Sequence, residues 1–309
     1  MVGFGDFQPL CNWTPSYTWC NLFYRQLSDR SPGTLQGLSR ESQSAPVGVN
    51  PQCGIPRVGH DGSISNIANI VACGVSFLVV AALIYLCHRR KAAVGRWELR
   101  TFLVIYLVTL PIQIVTNGSL LPQGSMGLVV LTAIHAGLVV ALFWILLANA
   151  IVATQWVEDG TMASIAPLSI IALILFGGTL YISLDIALGV TQTIGGLSNP
   201  PESIRSIPLF VLTSIWPPVA AILYLAFMTY IVLHVLNETR PMWYYLLSTI
   251  LFVLAQLAWF LLGRVICRGS NQKVDGSFIA TLLETASVGM LFLAWRSITE
   301  ETWDDGFDY

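Results

Sequence analysis

Charge is what this chain has least of. Only 10% of its 309 residues are Asp, Glu, Lys or Arg, against about 25% in a soluble domain, while 55% are hydrophobic. That balance excludes an ordinary soluble globule and places the chain among polytopic membrane proteins. Fifteen basic residues against seventeen acidic ones leave no cationic surplus, so no nucleic-acid partner is expected. The spacings of familiar reactive sites are missing too. There is no His-Glu-x-x-His for zinc, no phosphate-cradling Gly-x-x-x-x-Gly-Lys and no Gly-x-Ser-x-Gly elbow. Neither a metal nor another cofactor is expected, and the chain does not read as an enzyme. No cleavable signal peptide is expected either, because Met1 to Cys20 has no basic start and no apolar core. The first hydrophobic run would then itself act as the targeting signal.

What the chain has instead is seven long apolar runs, at about 66–87, 100–121, 127–153, 165–188, 207–236, 243–263 and 276–295. About 20 helical residues cross 30 Å of hydrocarbon, so the expected fold is all-α, with seven transmembrane helices. Pro111 and the Pro217-Pro218 pair should kink the second and fifth. The first run ends in His88-Arg89-Arg90-Lys91, and Arg96 and Arg100 follow. Cationic flanks stay cytoplasmic, which predicts a lumenal N-terminus and a cytoplasmic C-terminus. The 264–275 loop, with Arg264, Arg268 and Lys273, breaks that rule on the lumenal side; the early helices are expected to prevail. The ten Trp and ten Tyr residues suit aromatic belts at the headgroups.

Three regions follow: a lumenal segment 1–65, a transmembrane domain 66–296 and a cytoplasmic tail 297–309. The first is rich in Pro, Gly and Ser, and 28–50 reads as a flexible loop. On this orientation Cys11, Cys20, Cys53 and Cys267 all face an oxidising lumen. Two disulfides are expected, one tying the N-terminal segment to the 264–275 loop; spacing leaves the three possible pairings open. Asn12-Trp13-Thr14 is a glycosylation sequon.

Several polar groups fall inside the runs: His135, Asn149, Asp185, His234, Gln256 and Glu284. Ionisable residues at membrane depth default to functional hypotheses, with His135 and Glu284 the deepest and Asp185 nearer an end. Asn149 and Gln256 suit interhelical hydrogen bonds, and the Gly177-Gly178 pair suits close helix packing. The tail, with Glu300, Glu301, Asp304, Asp305, Trp303 and Phe307, has the composition of a docking peptide.

Several stretches resemble the fungal chitin synthase export chaperones. They are Gly95-Arg96 with Glu98; Pro122-Gln123-Gly124-Ser125; Glu158-Asp159-Gly160-Thr161; Asp275-Gly276; and Trp295 followed by Ser297-Ile298-Thr299. The spacing of Cys11 and Cys20, with Cys53 and Cys267, is similar to the family's cysteine pattern. The resemblance implies a seven-helix protein of the endoplasmic reticulum membrane that assists folding and exit of chitin synthase, and so supports cell-wall synthesis. Its partners would be chitin synthase, the lipid bilayer and, through the tail, vesicle-coat components. Two other readings share the helix count. A seven-helix receptor lacks support, because Thr154-Gln155-Trp156 stands where Asp-Arg-Tyr would close the third helix. A small transporter using His135, Asp185 and Glu284 would show internal symmetry, and none is visible.

Overall fold

In the computed structural model, residues 3–39, 46–59, 63–90, 95–155, 160–191 and 202–304 are described. Seven helices are long and apolar enough to cross a membrane: Ile67–Arg89, Arg96–Asn117, Met126–Ala153, Met162–Leu188, Ile207–Val235, Arg240–Phe260 and Gly276–Thr299, here called spans one to seven. Their outward faces carry large apolar side chains such as Leu78, Leu173, Ile174 and Ile222. In water such a surface would be untenable; against lipid it costs nothing.

Span two begins and ends earlier than the sequence suggested, and the reason is local. Gly95 takes a left-handed conformation (φ 69°) just before the first helical turn, so Arg96 to Arg100 coil into the helix. Gly118 and Ser119 (φ 58°) close it at the other end. Span five holds Pro217-Pro218 and is wound as a π-helix over Val211–Ile215 and Ile231–Val235. The last helix continues beyond the apolar run as far as Asp304, so the start of the expected tail is helical. Residues 305–309, with Asp305 and Phe307, lie outside the described residues.

Alternation of the spans brings residues 3–39, 46–59, 63–65, 118–125, 202–206 and 261–275 together at one end of the bundle, and the described part of the N-terminal segment is a folded cap there. It contains helices Gln8–Trp13 (α1) and Cys20–Arg30 (α2), the second running into the 28–50 stretch expected as loop, where Pro32–Thr34 and Gly37–Ser39 form short 3-10 turns; residues 40–45 lie outside the described residues. Phe7, Leu22, Phe23, Leu27, Leu35 and Val49 are buried with Val129, Ile186 and Leu209 of spans three, four and five. The apolar residues of the cap are too few for a span, but enough to cover the ends of three. Backbone bonds from Phe7 N to Ile204 O (2.9 Å) and Ser206 N to Gly5 O (3.0 Å) stitch it to the connection before span five. Disulfides join Cys11 to Cys20 and Cys53 to Cys267. The 264–275 segment contains a short helix, Gly263–Gly269. Its Arg264 lies over the Trp13 ring (4.8 Å) and donates to Gln52 Oε1 (2.6 Å), so one cation of this loop is used in binding the cap.

Two glycines exchange roles relative to the sequence reading. A Cβ on Gly177 or Gly178 would meet nothing within 4 Å, whereas one on Gly137 would lie 2.9 Å from Phe176 O. Spans three and four approach through Gly137, because the Gly177-Gly178 pair faces away from that contact. Gly276 is similarly constrained, since its Cβ would sit 2.8 Å from Gly263 Cα.

Candidate functional site: an intramembrane cavity under the cap

Polar residues divide the bundle. Span one is joined to span seven by Asn66 Nδ2 donating to Asp275 Oδ2 (3.2 Å) and Asn69 Nδ2 to Thr281 Oγ1 (3.3 Å), and by Thr285 Oγ1 to Ser76 Oγ (2.7 Å). Span two joins the same ladder through Gln113 Nε2 to Thr281 Oγ1 (3.0 Å) and the Tyr106–Thr285 hydroxyl pair (3.0 Å). Ser248 and Ser287 tie span six to span seven (3.0 Å). Interhelical bonds of this kind each contribute about 0.6 kcal/mol on average.

Beside this ladder lies a cavity of about 350 Å³, lined mainly by apolar side chains of spans two, three, five, six and seven and reached by Tyr106 and Gln113 of the ladder itself. His135, Gln256 and Glu284 are on its wall. Gln256 Nε2 donates to Glu284 Oε1 at 3.1 Å. His135 is 5% exposed, and its Nδ1 has no partner among the described residues. Its ring meets the edge of Trp19, centroids 5.3 Å apart. Tyr17, Thr18 and Trp19 of the cap roof the cavity. This loop is framed by the Cys11–Cys20 disulfide and anchored by Thr18 Oγ1 donating to Asn117 Oδ1 (2.9 Å). Burial pushes the Tyr17 phenol far above its ordinary range, so the roof is uncharged. The roof was not legible as such; the bracketing cysteines were the only signal.

The other polar candidates are elsewhere. Asp185 accepts from Thr191 Oγ1 (2.9 Å) at the cap end of span four. Asn149 Nδ2 donates to Gly95 O (3.3 Å) at the opposite end. His234 lies tilted against the Tyr230 ring, centroids 5.6 Å apart, in the last turns of span five. Among the described residues, no three His, Cys, Asp or Glu side chains converge as a metal site requires.

The motif residues form two structural joints, neither of them in the cavity. Pro122 to Ser125 seats the cap: Arg25 Nη1 donates to Gly124 O (2.9 Å), Gln123 Nε2 to Gly48 O (2.7 Å), and Ser125 Oγ accepts from Leu128 N (3.3 Å), capping span three. Asp275 and Gly276 open span seven, where Asp275 accepts from Ser277 N (3.1 Å) as well as from Asn66. At the other end Gly95 sits beside Asn149 and Trp295, and Glu98 is buried. Arg96 O accepts from Cys87 Sγ (3.8 Å). Ser297 and Thr299 bond back to Ala294 O and Trp295 O, and Ile298 packs on the core. Thr161 starts span four after Gly160 (φ 69°). Glu158 and Asp159 lie outside the described residues. Asn12 is in α1; in the orientation that satisfies its neighbours its Nδ2 donates to Asn50 O (2.9 Å) and Val49 O (3.1 Å).

A capped seven-span bundle, with its polar residues spent on helix pairing and one lipid-depth cavity, defines a multi-pass membrane protein. The sequence profile of the chitin synthase export chaperones matches residues 3–308, and the chain belongs to that family. Proteins named chitin synthase export chaperone from Coccidioides immitis and Chaetomium globosum are each 28% identical to it, over 306 and 302 residues. One from Emericella nidulans is 25% identical over 305 residues. Each alignment covers 97% of this chain and 84% of the relative. Membership in a non-enzymatic export family displaces the receptor and transporter readings. No solved structure matches the chain.

Proposed function

We propose that this protein is a membrane chaperone that assists chitin synthase in folding and leaving the endoplasmic reticulum, acting by helix contact and not by catalysis. The observation that carries this reading is the match to the export-chaperone profile along residues 3–308. The cap faces the lumen. Both disulfides lie at the cap end, and disulfides persist in an oxidising compartment. Arg89, Arg90, Arg96 and Arg100 gather at the far end, as cytoplasmic flanks do. Exposed Tyr85, Trp97, Tyr230 and Trp243 stand at that same end, where a headgroup belt would be. The tail after Ser297 then projects into the cytosol, where its acids and aromatics are available to vesicle-coat components.

Purification in mild detergent tests the client. Chitin synthase should co-purify with this chain, and in a deletion strain it should stay in the reticulum. Normal surface delivery of the synthase without this protein overturns the reading. Protease added to sealed microsomes should remove the C-terminal tail and spare the cap; the reverse pattern inverts the orientation. Truncation at Ser297 should slow synthase export if the tail recruits a coat, and unchanged export removes the tail from the mechanism.

A further inference from the structure

Resting on that reading, we propose that the seam between spans five and six is where the client is held: a transmembrane helix of the synthase lies along it and directs a basic side chain into the cavity toward Glu284 and His135.

The seam is open because the two spans choose different neighbours. Span five packs on span three, span six packs on span seven, and the two touch each other little although they are consecutive in sequence. Cavity-lining Ile222 and Val253 are 67% and 49% exposed, so the cavity reaches the lipid-facing surface between these spans. Trp19 and Tyr17 close it from the cap. An occupant therefore enters sideways, from the membrane.

The chemistry inside selects what enters. Glu284 lies eight residues into span seven, about 12 Å down at 1.5 Å per residue. Among the described residues its one hydrogen-bond partner is an amide, and neither Lys nor Arg lines the cavity. His135 adds the orphaned Nδ1. A carboxylate at hydrocarbon depth is costly and is ordinarily paired. Every rung of the Asn69, Gln113, Tyr106 ladder has a hydroxyl or amide complement within the chain; Glu284 has the Gln256 amide but no cation among the described lining residues, and an incoming basic group supplies one. The shape agrees. A helix is about 10–12 Å across with its side chains, too wide for a 350 Å³ space but suited to lie against it and insert one long side chain. Ala221 and Thr249 on the two walls are small enough to let a helix backbone approach. The π-wound turns and the proline pair of span five give that wall a helix able to shift as the seam fills.

The test uses the full chain co-expressed with the synthase in microsomes. A photo-crosslinking amino acid at Ala221 or Thr249 should yield an adduct recognised by antibody to the synthase; the same probe at Leu173, on the outer face of span four, should not. Adducts with lipid alone, with a second copy of this chain, or equally from all three positions overturn the proposal. Glu284→Gln and, separately, Ala221→Trp should each lower co-purified synthase about tenfold or more, as loss of a buried charge partner does, while both disulfides and the melting temperature are kept. Should Glu284→Gln fold poorly, Ala221→Trp decides. If wild-type protein captures synthase and Ala221→Trp captures it equally, the seam is wrong and the chaperone reading survives. If wild-type protein captures none, the chaperone reading itself fails.

Discussion

Spans one, two and seven are laced together; spans five and six touch each other little, Tyr224 meeting Tyr245 with ring centroids 6.1 Å apart. Both regions contain amide, hydroxyl and acidic side chains at membrane depth, yet they use them differently. On the first side Asn69, Gln113, Ser76, Tyr106, Thr281 and Thr285 satisfy one another. In the cavity that opens toward the second, Glu284 of span seven has a single amide partner and His135 Nδ1 of span three has none among the described residues. In lipid, where apolar contact gives helices little reason to associate, hydrogen bonds and close packing decide which helices stay together. The laced side is thus the scaffold and the open side the surface left for work. The cap fastens both: it hangs from span two by Thr18 and Asn21 and from the span-six-to-seven connection by Cys53–Cys267.

Breaking that last fastening should have the largest effect. Cys267→Ser frees 46–59 from the base of span seven, and a native disulfide closing a long loop contributes about 2–5 kcal/mol. The variant should melt lower in detergent and lose the cap to limited proteolysis. Cys11→Ser, which opens a loop of only nine residues' separation, should cost less stability but unsettle the Trp19 roof over His135. Equal effects of the two would mean that the cap is held by packing alone, and the contrast between its two attachments would vanish.

Next comes the foot of the laced side. Asp275→Ala strands the Ser277 N–H, at about 1–3 kcal/mol, and leaves the Asn66 amide with Ser16 and Ser277 alone. Asp275→Asn should be far milder, because Asn66 Oδ1 has no partner and a new amide can donate to it. The pair also separates by pH. Burial raises the Asp275 carboxyl above its ordinary value, with bonds from Ser16, Ser277 and Asn66 pulling it partly back. The folded state therefore holds this proton more readily than the unfolded chain. Stability from this site is greatest below the ordinary aspartate value and declines as pH rises through the raised one. Melting temperature against pH should show that decline in the wild type and a flatter line for Asp275→Asn.

A single rung in mid-ladder should matter less. Asn69→Ala should destabilise by about 0.6–1.7 kcal/mol, the span of measured interhelical bonds, with Thr281 still served by Gln113. Its effect on synthase capture should be no larger than its effect on melting. Glu284→Gln should behave in the opposite way, and the comparison of these two variants separates scaffold from surface.

How much of this was readable beforehand follows from the kind of signal each feature leaves. The spans were legible because hydrocarbon demands an unbroken apolar run, and Ile67–Arg89 or Met126–Ala153 has nothing else to be. His135, Gln256 and Glu284 stood out as polar residues in such runs, but their meeting in one cavity did not. Which faces of spans three, six and seven converge depends on helix rotation, and these spans are apolar nearly all round. The cap was missed for the converse reason. Phe7, Leu22, Phe23 and Leu27 sit in a polar segment rich in Pro, Gly and Ser with no run long enough to span, and they become a core only against Val129, Ile186 and Leu209, more than a hundred residues away. The start of span two was misplaced because Arg96 and Arg100 look like the edge of a membrane, whereas a left-handed Gly95 makes them the first turns of a helix.

The smallest expected effect is none at all, and it bears on whether the cap is packed or merely tethered. Asn12 opens a sequence that a glycosyltransferase could read, on the side we assign to the lumen. A glycan requires that its amide nitrogen be free; here that nitrogen donates to Asn50 O and Val49 O, the residue is built into α1, and Gln52 N bonds to its carbonyl oxygen (2.9 Å). Pro15 follows at once. The protein from its native membrane should migrate identically before and after endoglycosidase treatment, and Asn12→Gln should leave that mobility unchanged. A shift on enzyme treatment that Asn12→Gln abolishes would show that α1 swings clear of the 46–53 segment during maturation. The cap would then belong with spans five and six, among the parts of the molecule that open.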